Sequence, residues 1–207
     1  PITATVVVTP SFEGCTGPTE TFTITVNPTA EMNDPEDMVV CNAEVTDAVE
    51  FTTDNTGGTT TYTWTNDTPA IGLAATGSGD LPSFTAINTG TEPIVATVVV
   101  TPLFTDDINC DGISQTFTIT VNPTAQVNAT DDQDLCEGEV TAPIEFTTIN
   151  TDGTTTYEWT NTNPLIGLAD SGIGNIPSFE VLNDAANSQN AIITVSYTHL
   201  RAHETNS

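Results

Sequence analysis

Basic residues are almost missing from this chain. Lysine and arginine together number 1 in 207 residues, against 28 aspartates and glutamates, for a formal charge of −27. The one basic residue is Arg201, so there is no lysine, and the 2 histidines are His199 and His203. A surface this acidic repels phosphate backbones and anionic headgroups, which excludes nucleic acid as a partner and binding to a membrane surface. No run approaches the roughly 18 apolar residues of a membrane span, so no membrane insertion is expected. Up to Ser196 there is no His or Lys to act as a general base near neutral pH, and no Arg to steady an oxyanion. Serine or cysteine nucleophiles would therefore lack a partner base, and no catalysis is expected. Glu44, Glu50, Glu139 and Glu145 remain as carboxylates of the kind that hydrolyse glycosides in pairs. They read better as solvated strand or turn residues. Sustained 3.6-residue periodicity is also absent.

What is present is threonine, about a fifth of the chain, alternating with apolar residues. Thr21-Phe22-Thr23-Ile24-Thr25-Val26 alternates strictly, as does Thr61-Tyr62-Thr63-Trp64-Thr65. A period of two puts Phe22, Ile24 and Val26 on one face and threonines on the other, the pattern of a half-buried antiparallel strand. β-branched threonine on the wet face favours extended backbone while staying soluble. Turn chemistry separates the strands at Asp54–Gly58, Thr76–Asp80 and Asn88–Gly90.

The pattern is repeated. TFTITVNPTA stands at 21–30 and again at 116–125, and PITATVVVTP at 1–10 returns as PIVATVVVTP at 93–102. CNAEVTDAVEFTTDNTGGTTTYTWTN from Cys41 answers CEGEVTAPIEFTTINTDGTTTYEWTN from Cys136, and IGLAATGSGDLPSF from Ile71 answers IGLADSGIGNIPSF from Ile166. Fixed self-similarity of this kind marks a tandem array. We expect the last strands of one repeat at 1–29, a complete repeat at 30–124, and a third, unfinished one at 125–196. About seven strands are predicted in the complete repeat, near 38–41, 47–53, 60–66, 70–75, 82–88, 93–101 and 115–121. Seven short strands with a Trp on the third is the pattern of an immunoglobulin-like β-sandwich, so the fold class expected is all-β.

TYTWTND, IGLAATGSGDLPSF, ATVVVTP and TFTITVNPTA resemble the PKD-like (polycystic kidney disease-like) immunoglobulin-fold repeats of large secreted or surface proteins of Bacteroidetes. The resemblance covers residues 1–196. It implies an extracellular or cell-surface, adhesin-type protein in which such repeats act as spacer or adhesive modules. The implied partners are neighbouring repeats of the same chain and an extracellular glycan or protein ligand. The alternative it implies is an accessory module, carbohydrate-binding in the extreme case, of a secreted multidomain enzyme. Residues 197–207 break the pattern; VSYTHLRAHET resembles the translation of a sequencing adapter, so His199, Arg201 and His203 are expected to be foreign to the protein.

Four cysteines allow three pairings. Cys41 and Cys136 stand near the starts of repeats, and Cys15 and Cys110 in the loops before last strands. A bond from Cys41 to Cys110 inside the complete repeat is favoured over Cys15–Cys41 with Cys110–Cys136, which must bridge neighbours. Such a bond would imply an oxidising compartment. Metal binding by cysteine is not expected without CxxC spacing or a companion His.

Two binding features stand out. Asp107-Ile108-Asn109-Cys110-Asp111-Gly112 matches the opening of a calcium loop, in which alternate oxygens wrap the ion. Asp107, Asn109 and Asp111 are the candidate ligands, although Thr118 stands where the closing Glu belongs. Calcium there, or between the acidic stretches Asp34–Asp37 and Asp131–Asp134, is the one cofactor the sequence raises. Tyr62 and Trp64, repeated as Tyr157 and Trp159, have the composition of a sugar-stacking platform. Their place on a central strand predicts an inward, core-forming role.

Overall fold

A computed structural model describes residues 1–151 and 153–200, except for the side chains of His199 and Leu200. Regular structure among these residues is β, apart from two single 3-10 turns at Pro69–Ile71 and Pro164–Ile166. No helix of the described residues is long and apolar enough to cross a membrane. The chain forms two compact units: Pro1–Ile87 with Val95–Val121, and Asn88–Ile94 with the residues from Asn122 on.

The first unit opens with a hairpin. Strand β1 (Ile2–Val8) pairs antiparallel with β4 (Glu20–Val26), from Ile2 opposite Val26 to Val8 opposite Glu20, and the short β2 (Ser11–Phe12) and β3 (Cys15–Thr16) form its tip. Then follow β5 (Met38–Cys41), β6 (Thr59–Asn66), β7 (Thr76–Ser78), β8 (Ile94–Thr105), β9 (Asn109–Asp111) and β10 (Gln115–Asn122). They make one sheet in the order β5-β10-β8-β6-β7, with β9 also on β8. The three strands with the plainest period-two pattern, β6, β8 and β10, lie at its centre. Their inward residues make the core: Trp64, Val98, Val100, Phe104, Phe117, Ile119 and Val121 are all buried.

Opposite this sheet, the strands expected at 47–53 and 82–88 are not continuous ladders. They touch through two isolated bridges, Val45 with Thr85 and Val49 with Leu81. Side chains have taken the intervening backbone bonds. Thr46 Oγ1 accepts the Phe84 N–H (3.0 Å) and Asp80 Oδ1 accepts that of Phe51 (3.0 Å). The strand expected at 70–75 is likewise replaced. Pro69 starts the 3-10 turn and Gly72 closes it in left-handed backbone at φ 99°, after which β7 begins at Thr76.

The second unit repeats this plan: β11 (Thr154–Asn161), β12 (Ser171–Ile173) and β13 (Ile193–Leu200) form a sheet in the order β12-β11-β13. Registers coincide at an offset of 95. Thr59 faces Thr105 and Asn66 faces Val98 in the first unit, as Thr154 faces Leu200 and Asn161 faces Ile193 in the second. The bridges Val140–Glu180 and Ile144–Ile176 repeat the earlier two. Its core is Phe146, Trp159, Leu168 and Ile176. The expected break at Tyr197 leaves no mark on the ladder, since Tyr197 pairs with Tyr157 and pairing runs on to Leu200. Ladder bonds are made by backbone groups common to all residues. Arg201 and His203 lie outside the described residues.

Candidate functional site

The aromatic strand is structural. Tyr62 and Trp64 on β6 are 8% and 4% exposed, and the Tyr62 ring lies 5.6 Å from that of Phe51 across the unit. Phe146 and Tyr157 repeat this contact at 5.6 Å. The Trp64 indole lies flat over Gly77 of β7, where a Cβ would fall inside the ring; Trp159 lies over Gly172 in the same way. Glycine at these two places is a packing requirement set by the indole, not by backbone conformation. Burial pushes the Tyr62 phenol above its usual 10.0, the Thr53 hydroxyl opposes the rise, and the Asp80 carboxylate adds to it. Tyr62, Trp64 and Trp159 are buried and Tyr157 is half-buried against Phe146, so the set presents no open stacking platform.

The candidate carboxylates do not converge. Glu44 accepts the Cys41 N–H (2.8 Å), and Glu139 accepts that of Cys136 (2.6 Å), so each closes the turn it belongs to. Glu50 and Glu145 are exposed. Other repeated polar residues are spent in the same manner. Asn66, buried at the end of β6, donates to the Leu73 carbonyl (3.1 Å) and accepts from the Thr68 N–H, while Asn161 does the same with Leu168 and Asn163. Asn55 accepts the Glu31 N–H (2.8 Å) and donates to the Thr29 carbonyl, tying the start of the repeat to its first loop; Asn150 ties Gln126 and Thr124 equivalently. These asparagines escaped the sequence analysis. Their one signal was recurrence at the same offset in both repeats.

Asp107, Asn109 and Asp111 sit on the β8–β9 hairpin. Asn109 faces Thr105 and Asp111 faces Leu103, with Asp107 in the connecting turn. The Asn109 Oδ1 already accepts the Thr105 hydroxyl (3.1 Å). Thr118 lies within β10, and its N–H donates to Asp37 Oδ1 (2.6 Å). No group of three or more His, Cys, Asp or Glu among the described residues is arranged to hold a metal ion. Asp67 is instead a positioning group. It accepts the Thr97 N–H (2.8 Å) and the Thr68 hydroxyl (2.8 Å), and these bonds, the first foremost, hold its carboxyl below the usual 3.8.

The expected Cys41–Cys110 bond is not formed; all four cysteines are free thiols. The reason is the direction of the first segment. Gly112 lies against the Ala30 carbonyl and Thr118 against Asp37, so the chain from Ala30 runs alongside β10 in the same direction. It passes from Asn33, bonded to Thr52, to Ala43, bonded to Ala86. Cys41 therefore ends up at the far end of the strand from Cys110. Cys110 lies on β9, and the break at 112–114 and the first half of β10 separate it from Thr118, the residue that Asp37 reaches. A cysteine near the start of a repeat in sequence is not near its start in space.

The second unit has an open groove of mixed polar and apolar lining. It is about 690 Å³ in volume and is lined by the apolar Ile144, Phe146, Phe179, Ile193 and Val195 together with polar residues that include Asp131, Asp132 and Asp134. It follows the outer edge of β13, which has no neighbouring strand among the described residues. Val98 and Val100 are fully buried on β8; their counterparts Ile193 and Val195 are half-buried. No protein-family model matches the chain, and no curated protein matches it.

Proposed function

We propose that the chain is a piece of a tandem array of immunoglobulin-like, PKD-like repeats serving as a spacer or adhesive stalk in a large extracellular or cell-surface protein. The observation that carries this reading is the fate of the repeated polar residues. Glu44 and Glu139, Asn55 and Asn150, Asn66 and Asn161, and Thr46 and Thr141 recur at one offset and make the same internal bonds twice. Residues kept from repeat to repeat are thus accounted for by holding each repeat's loops. A catalytic or specialised binding head would have unspent polar groups converging on a surface. The partners of such a module are its neighbours in the array, and a glycan or protein ligand belongs to another part of the parent protein.

Negative charge suits the role. At −27 the array stays soluble and copies repel at low salt. Export rests on the resemblance alone, since the free thiols withdraw the disulfide argument. Long-read sequencing of the parent locus tests the proposal. Many further repeats with an export signal and an anchoring domain are expected. A catalytic domain beside only a few repeats would replace the stalk with the accessory-module reading.

A further inference from the structure

The decapeptide TFTITVNPTA occurs twice in this chain in opposite circumstances. In β10 its Phe117, Ile119 and Val121 are 2%, 0% and 0% exposed, packed between β5 and β8. In β4 the identical Phe22, Ile24 and Val26 are 51%, 51% and 62% exposed on a two-stranded hairpin. The second unit shows the complementary state. Its β13 is the counterpart of β8, in the same register with its partner strand, and the side that β10 occupies on β8 is here an open groove in which Ile193, Val195, Phe146 and Phe179 are among the lining residues.

We propose that β4 of one copy of this 207-residue chain occupies the groove beside β13 of a second copy, taking there the place that β10 takes beside β8. Phe22, Ile24 and Val26 are the side chains that this place accepts, because the first unit accepts the same residues at the same position of the same sheet. The one charge on β4 is Glu20 at its start, and Thr21–Val26, which carries the apolar side chains, is uncharged, so the acidic residues lining the groove oppose only that end. In moving, β4 exchanges its seven pairs with β1 for pairs with β13. Release from β1 costs little, because a lone two-stranded ribbon is marginally stable. Unpaired strand edges are the usual templates for such joining. Donor and acceptor are different surfaces, so assembly joins copies by reciprocal exchange in a dimer or head-to-tail in a ring or longer array. The charge of −27 opposes it at low ionic strength, and added salt screens that repulsion and strengthens it. The inference stands apart from the stalk reading, since it concerns what this chain does with its own two surfaces.

Size-exclusion chromatography with light scattering on the full chain, over a concentration series at low and high salt, tests it. The mass is expected to rise above the 21.7 kDa monomer with both concentration and salt. The double variant Phe22→Asp with Ile24→Asp removes no buried core atom, so it keeps its β-rich circular dichroism and stays monomeric. A synthetic peptide of residues 19–28, in excess, returns the wild-type chain to monomer. Assembly that is unchanged by both the substitutions and the peptide would overturn the proposal in favour of another contact. A chain that is monomeric throughout overturns it as well, whether or not the peptide binds.

Discussion

A single side chain in this protein is judged by whether its position allows a replacement. Trp64 fills the core against Gly77, and Trp64→Ala should cost about 3–5 kcal/mol, the range for removing a buried aromatic. The measurement is thermal unfolding; loss of glycan binding with an unchanged melt would contradict the structural role given to this ring. Asp67 supplies a pH test. Its folded-state pKa is depressed, so its contribution is complete above the unfolded value near 3.8 and disappears as pH falls through the lower folded value. Asp67→Asn should lower the melting temperature at neutral pH, and the difference from wild type should close in acid. The thiols are a third case. With no disulfide present, a thiol reagent should label exposed Cys15, Cys41 and Cys136 at once and the half-buried Cys110 more slowly, without prior reduction.

Strands were legible in the sequence where period two was uninterrupted. β6, β8 and β10 were anticipated to within a few residues, because alternation of threonine with large apolar residues has one reading on a pleated surface. The expected segments 47–53 and 82–88 carry similar composition yet form only bridges. Thr46, Asp80 and their partners are polar residues near enough in space to replace ladder bonds, a proximity that composition does not encode. Thr141→Val makes this testable. It leaves the Phe179 N–H without its acceptor at near-constant side-chain volume, and should cost about 1–3 kcal/mol by denaturant unfolding. The Asp107–Asp111 motif shows the same dependence on neighbours. Its spacing is that of a wrapping loop; in the fold Asp107 lies in a turn, while Asn109 to Asp111 pair with β8 and Asn109 accepts the Thr105 hydroxyl. Melting curves in calcium and in chelator are expected to coincide.

For the molecule as a whole, the two units share one strand register and differ in how far they bury it. The first buries Val98, Val100, Phe117, Ile119 and Val121 entirely, and the second leaves Ile193 and Val195 half-buried. At dilution low enough to keep the chain monomeric, unfolding should occur in two steps, with Trp159 fluorescence reporting the earlier and Trp64 the later. Coincident transitions would show that the units are coupled more tightly than their separate cores imply. Some properties were determined by the sequence alone: the acidity, the all-β class, the 95-residue recurrence and the central strands. Each follows from composition or from local period, which need no knowledge of what lies across the sheet. The tertiary structure decided the rest. It set which way the first segment runs, and so separated Cys41 from Cys110; it turned the repeated asparagines and glutamates into backbone staples. It also gave one string of letters, TFTITV, two environments. As β10 it is core and as β4 it is surface, because burial belongs to the neighbours a strand finds and not to the strand.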